Sequence, residues 1–98
     1  MQKEYKIVNN ADLMHFEIHE GNEIAFLEYR FYKNDIAFMH TEVPKSMEGK
    51  GVASALAVYA FKFAKEHQKP VMVYCPFVAS YLKRHPELNG QLDKEYLR

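Results

Sequence analysis

Two short stretches carry residues whose types and spacing could do chemistry. In Glu48-Gly49-Lys50-Gly51-Val52-Ala53, two glycines stand one residue apart directly before a long apolar run of helical period. Such a loop leaves backbone N–H groups pointing outward at the positive end of a helix dipole, with no side chains to block a close approach. Lys50 can add a charge. An anion suits this arrangement, and a phosphate or pyrophosphate is the natural guest, although the glycines alone fit an ordinary turn at a helix start equally well. The second stretch is Cys75-Pro76, which holds the one thiol of the chain. A Cys placed where a strand ends and a helix begins can feel the helix dipole and gain thiolate character. It can also be an inert small hydrophobe, as most free Cys residues are.

Several common chemistries fail on spacing. A Walker A loop needs a Gly ahead of the Gly-Lys pair, where Pro44 stands, and a Ser or Thr after the Lys, where Gly51 stands. A dinucleotide fingerprint would put Gly at Ser54 and an acidic residue at the end of the next strand, where Tyr74 and Cys75 sit. Papain-like catalysis lacks its local signature around Cys75. His15 and His19 share a strand face and could touch a metal, but no third ligand is evident and no metal site is expected.

The elements that must position these residues are read from periodicity. His15-Phe16-Glu17-Ile18-His19 alternates polar and apolar residues as a half-buried strand does. Gly21-Asn22 reads as a turn, residues 24–32 as a second strand, Lys33-Asn34-Asp35 as a turn and residues 36–43 as a third strand. Connections this short make the three strands an antiparallel meander. After Val43-Pro44 the period changes. Val52, Leu56, Tyr59, Ala60 and Phe63 mark a helix face, widened by Ala53, Ala57, Phe61 and Ala64, so most of that helix must be covered. Gln68-Lys69-Pro70 ends it, Val71-Met72-Val73-Tyr74 suits a buried parallel strand, and Pro76 opens a second helix that closes at His85-Pro86. Leu88 and Leu92 anchor a polar C-terminal segment. The prediction is an α/β (α+β) domain: a mixed sheet of a three-strand meander plus one parallel strand after a crossover helix, with helices packed on it.

Size and composition bound the partners. The chain has 98 residues, with 13 basic and 13 acidic side chains and a formal net charge of zero. A chain of this length buries roughly 60–70% of its unfolded surface, which predicts one domain over residues 1–98 with one small site. A nucleic-acid surface normally shows a basic excess, and this chain has none. One Cys excludes a disulfide framework, a CxxC pair and a Cys-based zinc site, and points to a reducing compartment. The polar start, Met1-Gln2-Lys3-Glu4-Tyr5-Lys6, has no apolar stretch behind it. A soluble cytoplasmic protein, monomer or weak homodimer, with no membrane or nucleic-acid partner, is expected.

Taken together, the two chemical stretches resemble the GNAT superfamily of acetyl-CoA-dependent N-acetyltransferases. In that superfamily a strand leads into a Gln/Arg-x-x-Gly-x-Gly/Ala loop at a helix N-terminus, and here Gly51 and Ala53 fill the last two fixed places. The closer resemblance is to its short single-domain YjdJ-like branch. It runs through Val43-Pro44, Gly49-Lys50-Gly51-Val52-Ala53 and Leu56 to Cys75-Pro76-Phe77-Val78, Tyr81-Leu82 and Arg84-His85-Pro86-Glu87. Glu48 departs from the pattern. A carboxylate beside a pyrophosphate is unfavourable unless it turns away, so Glu48 is left out of the binding set and a weaker CoA affinity is expected.

The resemblance implies acetyl-CoA as donor and an amine acceptor, either a small amine or an amino group of a protein. It implies CoA contacts from Gly49, Lys50, Gly51, Val52, Ala53 and Ser54, with Tyr81 and Arg84 from the second helix. Backbone groups of Thr41, Glu42 and Val43 would pair with the pantetheine amides where the two parallel strands splay, and Cys75 would lie near the thioester. Two routes then stand open: direct attack by the amine, or prior acetylation of Cys75. His40 and Glu42 are candidate bases, and His85 is a candidate helix cap or CoA contact. The superfamily's usual N-terminal strand and two helices, which build the acceptor pocket, have no counterpart ahead of the meander. The alternatives are a non-catalytic or redox-responsive CoA-binding module in which Cys75 pairs with CoA, and an interaction domain that has lost its ligand.

Overall fold

The computed structural model of the chain describes residues 4–95. Residues 1–3 of the polar N-terminal run and residues 96–98 of the C-terminal segment lie outside them. The elements are β1 (Val8–Asn10), β2 (His15–Glu20), β3 (Glu23–Tyr32), β4 (Asp35–Glu42), a 3-10 turn (Lys45–Met47), α1 (Val52–Glu66), β5 (Val71–Val73), α2 (Pro76–Arg84) and a 3-10 helix (Pro86–Gln91). The strands form one sheet in chain order, β1 to β4 antiparallel and β5 parallel to β4. This is the expected mixed sheet with helices packed on it.

The meander has four strands rather than the expected three. β1 escapes a reading by pattern because Val8-Asn9-Asn10 offers one apolar residue and two of low strand propensity. Pairing with β2 holds it, and the Tyr29 hydroxyl donates to Asn9 Oδ1 at 2.7 Å.

Helix α1 lies across one face of the sheet. Val52, Leu56, Ala57, Ala60, Phe61 and Ala64 are buried on it, against Phe16, Leu27, Tyr29 and Phe38 from the strands. The three buried alanines and small Val52 keep the helix close to the sheet, while the aromatic rings fill the volume that remains. Phe61 meets Phe38 edge-on at 5.3 Å between ring centres, and Phe16 is flanked by Tyr59 and Phe63 at 5.1 and 5.0 Å. Each large side chain buried this way contributes roughly 1.5–3 kcal/mol. The helix ends where the sequence says it must: Gln68 takes a φ of 54°, and the N–H groups of Gln68 and Lys69 donate to Lys65 and Ala64 carbonyls before Pro70.

The opposite face of the sheet carries His15, Glu17, Phe26, Glu28, His40 and Glu42, brought side by side by strand register. His15 stacks on Phe26 at 4.0 Å, and His40 meets the same ring edge-on at 6.1 Å. His15 and His19 turn toward Glu17, with His19 Nε2 2.8 Å and His15 Nδ1 3.6 Å from its carboxylate. Among the described residues no group of three or more His, Cys, Asp and Glu side chains could hold a metal ion.

Candidate functional site

The parallel pair β4 and β5 opens partway along. Ile36, Ala37 and Phe38 pair with Val71, Met72 and Val73, and the ladder stops there. At the same level β4 carries a bulge: Tyr29 pairs with Phe38 and Glu28 with His40, leaving Met39 without a partner on β3. A bulge bends its strand and sharpens the local twist, which carries residues 40–42 away from the line of β5. On the other side, the N–H groups of Tyr74 and Cys75 both donate to the Phe38 carbonyl, at 2.9 and 3.0 Å, and the chain then turns into α2 at Pro76. The two strands therefore diverge beyond Phe38.

Thr41 and Cys75 face each other across this opening, with Thr41 Oγ1 3.2 Å from Cys75 Sγ. Cys75 is the N-cap residue of α2, but its side chain makes no capping hydrogen bond. The thiol is buried, at 2% exposure, in the same apolar cluster as Phe38, Val73 and Val78.

The glycine loop lies at the start of α1. Gly49 and Gly51 both have a φ of 76°, a left-handed conformation that disfavours any other residue. A Cβ built on either would meet nothing within 4 Å, so the space in front of the loop is open. Gly51 is the N-cap residue of α1 and provides no side-chain cap. The first backbone bond into the helix runs from the Ala55 N–H to the Gly51 carbonyl. Among the described residues, the first-turn N–H groups of Val52, Ala53 and Ser54 have no backbone acceptor, as helix geometry requires without a cap.

A cleft of about 630 Å³ opens onto these amides. Gly49, Lys50, Gly51, Ser54, Ala55 and Val58 form one wall, and Tyr81 and Arg84 of α2, with His85 just after it, form the other, with Tyr5 at the rim. Tyr81 is buried beneath the cleft and stacks on His85 at 4.2 Å, with the Arg84 guanidinium 6.0 Å from its ring centre. Burial raises the Tyr81 pKa above its usual value, and Glu87 adds to the rise while Arg84 opposes it. Lys50 Nζ reaches Glu20 at 3.6 Å, and the Lys50 carbonyl accepts the Tyr5 hydroxyl at 2.6 Å.

Residues 15–91 match the family of GCN5-related N-acetyl-transferases. The chain belongs to that family. Similar proteins are the one named Protein NATD1 in Xenopus tropicalis, 33% identical over 63 residues, and its namesakes in Gallus gallus and Homo sapiens at the same identity and length. The aligned segment is 63% of this chain and 58%, 57% and 56% of the three relatives, so the chain spans a little over half of their length.

Within this GCN5-related domain, the residues singled out in the sequence fall into two groups. Gly49, Lys50, Gly51, Ser54, Tyr81 and Arg84 are gathered at the cleft, while Val52 is buried beneath it and Ala53 is half-buried in the first turn. Thr41 and Cys75 meet at the strand opening, with Glu42 exposed and Val43 half-buried beside them, and none of these four lines the cleft. Glu48 is exposed and also stands outside the cleft lining. His85 lines the cleft; its N–H donates to the Leu82 carbonyl, whereas its ring turns to Tyr81 and, at 3.3 Å, to Glu87. His40 is exposed on the face opposite α1. Tyr5, Ala55 and Val58 were missed. Ala55 and Val58 lie one turn beyond the loop, where they read as helix stripe, and no local pattern marks Tyr5. Among the described residues no helix is long and apolar enough to cross a membrane.

Proposed function

We propose that the domain transfers an acetyl group from acetyl-CoA to an amine, by direct attack and without an acyl-cysteine. The observation that carries the donor assignment is the cleft at the start of α1. Uncapped first-turn amides face open space beside a guanidinium, and such a surface fits a pyrophosphate. Gly49, Gly51, Val52, Ala53 and Ser54 would hold it through backbone N–H groups, with Arg84 adding charge and Tyr81 and Val58 supplying apolar wall. The Lys50 ammonium is shared with Glu20 and adds less than its charge suggests.

When bound, acetyl-CoA supplies a thioester carbonyl open to attack by a neutral amine. The edge of residues 41–43, freed from β5 by the bulge at Met39, is the natural backbone partner for the pantetheine amides. Thr41 and Cys75 would then flank the thioester end. Attack by Cys75 would need a base to take its proton, and the partner that the thiol has is a threonine hydroxyl, which is no base at neutral pH. The burial of Cys75 argues the same way, since a nucleophile must be reached. His40 and Glu42, exposed on β4 beyond the bulge, are the groups assigned to accept the proton of the amine. The acceptor is a small amine or an amino group of a protein, taken up on the side of the sheet that α1 leaves uncovered.

Calorimetric titration of CoA tests this reading. The wild-type protein is expected to bind, and Gly51→Trp to weaken binding by about 100-fold or more, roughly 3 kcal/mol, because the indole would fill the space before the amides. Nothing lies within 4 Å of that position, but its φ of 76° strains any side chain, so the variant is titrated after circular dichroism shows a native fold. A wild-type protein that does not bind CoA refutes the proposal.

A further inference from the structure

We propose that Tyr5 is a positioning residue for the CoA pyrophosphate, acting through the peptide between Lys50 and Gly51. The inference rests on reading the cleft as the CoA site. Tyr5 lies ahead of the first strand, 45 residues from its partner in sequence, yet its hydroxyl donates to the Lys50 carbonyl at 2.6 Å and its side chain stands at the rim of the cleft. That carbonyl belongs to a peptide flanked on its far side by Gly51, with Gly49 one residue before Lys50. Both glycines sit at a φ of 76°, and glycine takes either sign of φ at little cost. A peptide in such a setting turns over easily.

Its orientation decides what the loop offers. In a trans peptide the C=O and N–H point in opposite directions, and no peptide bond of the described chain is cis. Holding the Lys50 oxygen on Tyr5 therefore fixes the Gly51 N–H on the other side. If the peptide turned over, a carbonyl oxygen would replace an N–H among the donors of the loop. Tyr5 thus sets the loop in its anion-binding arrangement before the ligand arrives, so that less ordering remains for binding to accomplish. The same hydroxyl ties the N-terminal segment to the site, whereas Lys50 Nζ ties the loop to Glu20 at the end of β2.

The test is Tyr5→Phe, which keeps the ring and removes the hydroxyl. One hydrogen bond of this kind corresponds to a loss of about 5- to 10-fold in CoA affinity. Pantetheine, which has no pyrophosphate, should bind wild type and Tyr5→Phe with the same dissociation constant, read by chemical-shift titration. If CoA affinity does not change while the wild type binds CoA, the role of Tyr5 is overturned and the CoA site stands. If CoA and pantetheine weaken equally, Tyr5 is a structural residue and the proposal is overturned. In the wild type itself, the Gly51 amide resonance is expected to move on addition of CoA and to stay in place with pantetheine. A Gly51 amide indifferent to CoA overturns the proposal whatever the stability of the variant, and a wild type that fails to bind CoA removes the underlying reading instead.

Discussion

The parallel pair β4 and β5 has two ends that solve opposite problems. At the end where both strands begin, the chain closes the gap: Leu92 packs into the core, bridges to Val71, and is followed by an Asp93 N–H that donates to the Val71 carbonyl at 3.0 Å. At the end where both strands finish, the bulge at Met39 and the turn at Cys75-Pro76 pull them apart, and Thr41 meets Cys75 across the gap. One end spends its side chains on packing. At the other the ladder stops at Phe38 and Val73, at the carboxyl ends of the parallel strands, where ligands of α/β sheets gather. The difference is a division of labour: cohesion of the pair comes from the closed end, so the open end is free to be shaped by a ligand.

Breaking the closed end should therefore cost stability and leave the cleft untouched. Leu92→Ala removes a buried side chain from the core and is expected to destabilise the fold by about 2–4 kcal/mol, read by urea denaturation. CoA affinity, measured well below the melting temperature, should stay within about twofold of wild type, a difference of roughly 0.4 kcal/mol. A large loss of affinity in a folded Leu92→Ala protein would mean that the two ends are coupled.

This division was only partly legible in the sequence. Strands β2 to β4 and helix α1 announce themselves by period, and the short connections dictate the meander. The glycine loop was legible because positive φ at two positions leaves little choice of residue, and its setting before a helix points to an anion. The bulge was not, because Ile36-Ala37-Phe38-Met39 is an unbroken apolar run in which no residue marks the extra one. Contacts between distant segments leave no local trace either. Tyr5 on Lys50, Thr41 on Cys75, and Asp35 with Asp93 all depend on where the finished sheet brings its edges.

Asp35 offers a gentler probe of the closed end. Its carboxyl is buried at the start of β4, beside Asp93 and Glu95 from the C-terminal segment, with Lys69 as the opposing charge. Burial first, then the hydrogen bond and charge of Asp93, push its pKa up from 3.8 to about 6. The folded state then holds a proton that the unfolded chain has released, so stability falls as pH rises from near 3.8 to above 6, and the loss is complete above that window. Asparagine mimics the protonated acid. Asp35→Asn should be more stable than wild type at pH 7.5, and the advantage should shrink to a constant as pH drops below the usual carboxylate range. Urea midpoints collected across the pH range check this, and an advantage independent of pH would contradict it.

The smallest expected effect lies at the open end. If the acetyl group passes directly to the amine, Cys75 contributes a wall and one weak hydrogen bond to Thr41, and a serine hydroxyl can do both at nearly the same volume. The cost of Cys75→Ser is then a modest loss of stability from placing a more polar atom in a buried site, offset by a stronger hydrogen bond with the Thr41 hydroxyl. The rate of thiol release from acetyl-CoA in the presence of an accepted amine should remain within about threefold of wild type, less than 1 kcal/mol in barrier. Intact-mass measurement of wild type incubated with acetyl-CoA should show no acetyl adduct on Cys75. An adduct that disappears on adding amine, together with a rate for Cys75→Ser lower by orders of magnitude, would make the thiol a nucleophile. The open end would then hold a reacting group that its burial now conceals, and the strands would have to part further to expose it.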